Sequence, residues 1–318
     1  MPVTVTLHVF SGRPDPTWTI SDQDAAALQA EAAALERPTL AKPPGTLGRL
    51  GYRGFSLSGV GSTGGAPLDF YVHEGVVDRG RFDVNVVDDA RNLEQRLLGT
   101  AVAQKVLQPE VLQHVTAEIQ RPAQLHPETP ATTATTATAA PETQRLLPWP
   151  FPWPWPWPPK PACPPCHAAD APLYQPQNWN IPQVQPHNNC YNYANNRITN
   201  TFAQPGRAHG AMYTTLQCTG AGAVQPASVA DGLVAVPNFA APLPPGRGWY
   251  VALVIWPGVD FHWYRQDKVG CWSHKPGSTA VRNVDNSGHL ISDPKTADRG
   301  GYTNFCTYMI TNHGVVIN

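Results

Sequence analysis

Trp249-Tyr250-Val251-Ala252-Leu253-Val254-Ile255-Trp256 is an unbroken run of apolar and aromatic residues. A short run of this kind with no polar alternation predicts a strand buried on both faces, in the middle of a sheet. Turn signals then set the topology around it. Pro257-Gly258 reverses the chain into a returning strand, Phe261-His262-Trp263-Tyr264-Arg265-Gln266-Asp267, and Lys268-Val269-Gly270 reverses it again into Cys271-Trp272-Ser273-His274-Lys275. Pro276-Gly277 closes the meander, and Asp285-Asn286-Ser287-Gly288 predicts a further hairpin between strands at 280–284 and 289–291.

Upstream of that meander the period changes. After an extended lead-in at 174–184, Pro186-His187-Asn188-Asn189 supplies turn and N-cap chemistry directly before Cys190. Tyr191, Ala194, Ile198 and Phe202 follow at helical spacing, which predicts a helix with Cys190 in its first turn. A second helix is expected at 225–232. The C-terminal module, 170–318, therefore reads as helix first and antiparallel sheet afterwards.

The N-terminal module, 1–122, reads as a small α+β unit. Val3, Val5, Leu7 and Val9 alternate with Thr4, Thr6 and His8 in the two-residue period of a half-buried strand. Ser21 caps a helix running through 25–35, with Asp24 three positions on, and Pro38 stops it. Further strands are expected around 52–57, 68–73 and 81–87, then a helix capped by Asp88 or Asp89 and another opened by Pro109. The glycines of 45–65 lack the Gly-Lys-Ser/Thr ending of a phosphate loop and read as turns. The fold class of the whole chain is α+β.

Between the modules, 123–169, lies a linker of two kinds. Pro130-Ala131-Thr132-Thr133-Ala134-Thr135-Thr136-Ala137-Thr138-Ala139-Ala140-Pro141 has no large apolar side chain to offset the entropy of ordering it. Leu147-Pro148-Trp149-Pro150-Phe151-Pro152-Trp153-Pro154-Trp155-Pro156-Trp157-Pro158-Pro159-Lys160 excludes helix and favours polyproline II. Two readings of this tract stand side by side: a stiff spacer that packs some indoles on a neighbouring module, and an adhesive segment that contacts a protein or surface.

With 22 Lys and Arg against 23 Asp and Glu, the net charge of −1 argues against nucleic acid or an anionic membrane as partner. The 35 prolines and the 14% charged residues imply long non-repetitive segments. No stretch has the roughly 18 consecutive apolar residues of a membrane span. The first residues lack a basic region, an unbroken apolar region and a small-residue cleavage site, so a cytoplasmic or non-classically secreted protein is expected.

All six cysteines, Cys163, Cys166, Cys190, Cys218, Cys271 and Cys306, fall in the C-terminal half. Cys163-Pro164-Pro165-Cys166-His167 has the spacing of covalent haem attachment, but its two prolines oppose the helix that motif needs. A redox pair, a local disulfide or a plain structural pair is expected instead. Cys271-x-x-His274 has metal-ligand spacing, with His262 across the hairpin and Asp260 or Asp267 near, yet strand alternation sets 271 and 274 on opposite faces. No metal or other cofactor is expected.

A cysteine at a helix start (Asn189-Cys190-Tyr191) and a histidine opening a later strand (Phe261-His262-Trp263-Tyr264), with polar residues on the strands after it, resemble the papain-like cysteine peptidase and amidase superfamily, which includes bacterial cell-wall enzymes. The resemblance covers about residues 174–310. It implies a cysteine-dependent hydrolase of peptides or amides in which Cys190 is the nucleophile and His262 its base. His274, Asn283 and Asp285 all qualify as the orienting third residue. No glutamine stands six residues before Cys190, so the amide of Cys190 and the side chain of Asn188 or Asn189 are the oxyanion candidates.

Against this stands a non-catalytic alternative. Free cysteine is among the most often buried residues and behaves as a small hydrophobe. On that reading the cysteines are structural and the Trp-Pro tract contacts a partner.

Overall fold

A computed structural model describes residues 2–34, 49–59, 68–74, 76–78, 84–86, 90–121 and 163–318. The Thr/Ala segment, the Trp-Pro tract, the Asp88/Asp89 cap and both ends of the glycine-rich stretch lie outside these residues.

The N-terminal sheet holds β1 (Thr4–Leu7), β2 (Thr17–Thr19), β3 (Phe55–Gly59), β4 (Leu68–His73), β5 (Val76–Asp78) and β6 (Val84–Val86), in the order β2-β1-β3-β4-β5-β6. All its pairings are antiparallel. Val5 and Leu7 of β1 are fully buried while Thr4 and Thr6 are half-buried, as the alternation demands. Helix α1 (Asp22–Ala34) begins after Ser21, whose Oγ accepts from the Asp24 amide at 3.1 Å. Helices α2 (Ala90–Ala103) and α3 (Pro109–Gln120) follow, and α2 lies over β4. Pro109 opens α3, where its missing N–H costs nothing.

The C-terminal module opens with α4 (Cys190–Ala194) and α5 (Val224–Ala230). Its sheet has the order β10-β9-β8-β11-β7, with β7 at Val234–Val236, β8 at Trp249–Trp256, β9 at Asp260–Gln266, β10 at Trp272–His274 and β11 at Asn304–Thr311. All eight residues of β8 are buried, as its composition requires of a central strand. Three features differ from expectation. The helix at Cys190 is one turn and a half, because Asn195 caps it and Asn196 takes a left-handed conformation at φ 51° that Asn tolerates. The expected hairpin at 280–291 is reduced to isolated bridges, Val284 with Leu290 among them. The other neighbour of β8 is β11, a strand from the far end of the chain, with Asn304 paired to Ile255 and Thr311 to Trp249.

One continuous apolar cluster runs through both modules. The polar link between them is the turn after β1. Asp260, at the start of β9 and fully buried, accepts from the amides of Ser11 (2.6 Å), Gly12 (3.2 Å) and Arg13 (3.1 Å), and from the Tyr302 hydroxyl at 2.5 Å. The Gly12 carbonyl accepts from Asn189 Nδ2 and Gln204 Nε2, both at 2.8 Å. A Cβ at Gly12 would collide with the Phe261 ring, so glycine is required by the closeness of approach. Asn286 grips Leu50 from the other side, accepting from its amide at 2.8 Å and donating to its carbonyl at 2.9 Å.

Replacing Asp260 by alanine strands these donors in a dry interface. We expect a loss of roughly 3 kcal/mol or more in urea unfolding of the full chain, since each buried donor left unpaired costs about 1–3 kcal/mol. Unchanged stability would show that the clamp is dispensable.

Candidate functional site

The start of α4 is built by asparagine. Asn189 Oδ1 accepts from the amides of Tyr191 (3.0 Å) and Asn192 (3.1 Å), and Asn192 Oδ1 returns the bond to the Asn189 amide at 3.2 Å, a reciprocal capping box. Asn188 Oδ1 accepts from the amides of Thr199 and Asn200, both at 3.1 Å, while its Nδ2 donates to Val184 O and Asn200 Oδ1. Both Asn189 Nδ2 protons go to carbonyls, those of Gly12 and Ala203. Of the expected oxyanion donors, neither the Asn188 nor the Asn189 side chain therefore has a proton to spare: both are fully committed to holding loops.

Cys190 is fully buried. Burial raises its thiol pKa well above the ordinary value, and the Asp260 carboxylate raises it further; the Trp263 amide and Lys275 act the other way. A helix of five residues has too little dipole to reverse this.

His262 is equally sealed. Its Nε2 meets His274 Nδ1 at 2.9 Å, and His274 Nε2 meets the Val284 carbonyl at 3.1 Å. A carbonyl can only accept, so His274 carries its proton on Nε2 and accepts at Nδ1, and His262 donates from Nε2. That leaves His262 Nδ1 as a bare acceptor, and it has no hydrogen-bond partner. No hydrogen bond joins it to Cys190. Burial, then His274 and Arg53, holds His262 well below its ordinary pKa, and burial takes His274 down to about 3. Tyr264 stacks on His274 with centroids 5.0 Å apart.

Of the three candidates for a third residue, only His274 contacts His262. Asp285 is spent in its own loop, accepting from the amides of Ser287, His289 and Asp298. Asn283 is half-buried, and its carbonyl accepts from the Ile291 amide.

Lys275 was not legible as a site residue, because nothing in Ser273-His274-Lys275-Pro276 marks a lysine that points inward. It is buried, and Nζ donates to three carbonyls, Gln185 (2.6 Å), Asn188 (2.5 Å) and Gly277 (2.7 Å). Burial lowers its pKa to about 7, opposed by Cys190. The lysine ties the loop before α4 to the turn after β10, which is a scaffolding task. Arg265 has a similar one: it donates to Asp267 Oδ1 at 2.8 Å and lies over the Tyr193 ring, 4.0 Å from its centroid.

Cys163 is disulfide-bonded to Cys271, and Cys218 to Cys306. Cys166 and Cys190 are free thiols. The expected local pairing of Cys163 with Cys166 is thus replaced by a bond across 108 residues, and the Cys271-x-x-His274 spacing is removed from metal binding because its sulfur is already used.

Buried neutral histidines set the acid response. His73 and His274 are lowered to about 3 and His114 to about 4, each chiefly by burial. The unfolded chain binds these protons below about pH 6.5 while the fold refuses them, so their stabilisation is complete above 6.5 and is lost as pH falls toward the folded values. Asp260, raised to about 6 by burial, opposes them: it favours the fold in acid and loses that contribution as pH rises through about 6. With four histidines, His262 included, against two carboxylates raised by burial, Asp260 and Asp267, melting temperature is expected to fall from pH 7 to pH 4. A melting temperature that rises over that range would contradict the assignment.

No protein-family model and no solved structure matches this chain. A relative is found in insoluble matrix shell protein 1 of Ruditapes philippinarum, 51% identical over 136 residues, which cover 43% of this chain and 87% of that protein. This overturns the expectation of a cysteine-dependent peptidase or amidase of bacterial type: a half-identical relative is a matrix protein of a mollusc shell. The geometry gives the physical side of the same correction, a thiol and an imidazole both sealed from solvent and both held in their neutral forms. The chain belongs to the family of insoluble matrix shell protein 1.

Proposed function

We propose that this chain is a non-catalytic structural component of an extracellular matrix, its folded modules acting as building blocks and its Trp-Pro tract making contact with a partner. The observation that carries the reading is the 51% identity to an insoluble matrix shell protein. Two long-range disulfides support it, because such bonds persist in oxidising compartments outside the cell. Of the two locations that the first residues left open, cytoplasmic or non-classically secreted, this reading favours the secreted one. Among the described residues no helix is long and apolar enough to cross a membrane. The partners in this reading are other matrix macromolecules, without nucleic acid.

The full chain, refolded under oxidising conditions, should partition into the pellet of a matrix-forming mixture and should cleave no amide or ester substrate. Cys190→Ala should leave both results unchanged. Turnover that disappears with Cys190→Ala would overturn the reading, as would a protein that stays soluble at every concentration. Replacing Cys218 and Cys306 together by serine should cost about 2–5 kcal/mol in denaturant unfolding, the usual cost of losing a native disulfide.

A further inference from the structure

The outer face of the C-terminal module carries a groove of about 360 Å³ beside α4. Its apolar surface comes from Pro172, Leu173 and Ile198, and the last two are 56% and 48% exposed. Its polar surface is entirely carboxamide: Gln175, Asn178 and Asn196. Among the described residues no charged side chain lines it.

The groove is held open by a buried cation. Arg265, 1% exposed, donates from Nη1 to Asn196 Oδ1 at 3.0 Å on one wall and from Nη2 to the Leu173 carbonyl at 3.2 Å on the other. Because Asn196 Oδ1 is taken, its Nδ2 is left as a donor. Asn178 Nδ2 donates to Gln175 Oε1 at 3.3 Å, which leaves Gln175 Nε2 in the same state.

A neutral groove with amide donors and bare aliphatic side chains fits a ligand that presents carbonyls and apolar rings and has few backbone N–H groups. A proline-aromatic segment is such a ligand: each proline removes a donor, and polyproline II leaves its carbonyls without internal partners. A glycan fits less well. Sugars stack on open aromatic faces, and the aromatic residue here, Trp179, is 4% exposed.

Within this chain, residues 147–160 are a segment of that chemistry, with Trp149, Phe151, Trp153, Trp155 and Trp157 alternating with proline. We propose that the groove of one copy receives the Trp-Pro tract of a second copy. The position of the tract favours a neighbour over its own module. Only Pro161 and Ala162 separate Lys160 from Cys163, which is bonded to Cys271, and a composition with Pro158, Pro159 and Pro161 opposes a tight reversal onto the same module. At roughly 3.1 Å per residue, the fourteen residues would extend roughly 43 Å, enough to reach an adjoining molecule. A tract on one surface and a groove on another make a head-to-tail contact, and contacts of that kind that do not close into a ring run on as open chains. This deepens the structural-matrix reading and rests on it, since it supplies a route to insolubility.

The test uses full-length chains and a synthetic peptide of residues 147–160. A tract-silent chain carries Trp149→Ala, Trp153→Ala, Trp155→Ala and Trp157→Ala; a groove-silent chain carries Leu173→Asp and Ile198→Asp, both at exposed side chains, with folding checked by melting temperature. Calorimetry should show saturable binding of the peptide to the tract-silent chain, weakened at least 10-fold when Leu173→Asp and Ile198→Asp are added. In sedimentation, the parent should form a concentration-dependent ladder, each silenced chain should remain a monomer, and their equimolar mixture should stop at a heterodimer. Peptide binding indifferent to the groove changes, a ladder in the groove-silent chain, or chitin oligosaccharide binding without peptide binding would each overturn the proposal. So would a monomeric parent whose groove takes up the peptide only after its own tract is silenced, because the tract then docks in its own module. If the silenced chains are as insoluble as the parent, this assembly fails while the matrix reading stands. If the parent is soluble and monomeric at every concentration, both fail.

Discussion

Two sheets from distant parts of the chain are held together by a carboxylate that, among the described residues, forms no ion pair. Asp260 is buried and is held by directed donors, three successive backbone amides of the turn after β1, the Phe261 amide and one phenol. Backbone amides cannot rearrange without moving the turn, so the carboxylate fixes the turn, and the turn fixes Gly12 against Phe261. Through the Gly12 carbonyl the same constraint reaches Asn189 and hence the first turn of α4. The Cys190 thiol beside it inherits the electrostatic consequence, since a nearby buried negative charge discourages a second one.

The packing accords with the correction of the hydrolase expectation. A nucleophilic cysteine needs access and a base that can take its proton. Here the imidazole spends its proton on a second imidazole, the Asn188 and Asn189 carboxamides hold loops, and the buried lysine is satisfied by three carbonyls. Each polar group looks reactive in sequence and serves as a joint in the fold. Buried networks of this kind specify one arrangement of a core when their members are satisfied.

Much of the architecture was legible because it rests on local pattern. The apolar run at β8 implied burial on both faces, and Pro257-Gly258 implied the return into β9. Alternation at β1 and the Ser21 cap of α1 were equally plain. What could not be read depends on distance along the chain. The Asn304–Thr311 strand was missed because Phe305, Thr307 and Tyr308 give a weak alternation, and only the partner strand β8, some fifty residues earlier, stabilises it. Helix α4 was overextended because Ile198 and Phe202 keep helical spacing, whereas Asn196 turns the chain out of the helix. The pairing of Cys163 with Cys271 in place of Cys166 is a property of the folded shape alone. The order of Cys190 before His262 was visible; their separation into two unconnected hydrogen-bond systems was not.

The Cys163–Cys271 bond also determines where mechanical tension would enter the molecule. A pull on the linker would arrive at Cys163 and pass through sulfur directly into the residue before β10, at the edge of the sheet. The 108-residue loop between the two cysteines, including α4, α5 and the central strand, lies in parallel with that covalent route and carries little of the force. The Cys218–Cys306 bond does the same for the opposite flank, by securing the 214–222 loop to β11. A module wired in this way can be strained through its linker while its core stays folded.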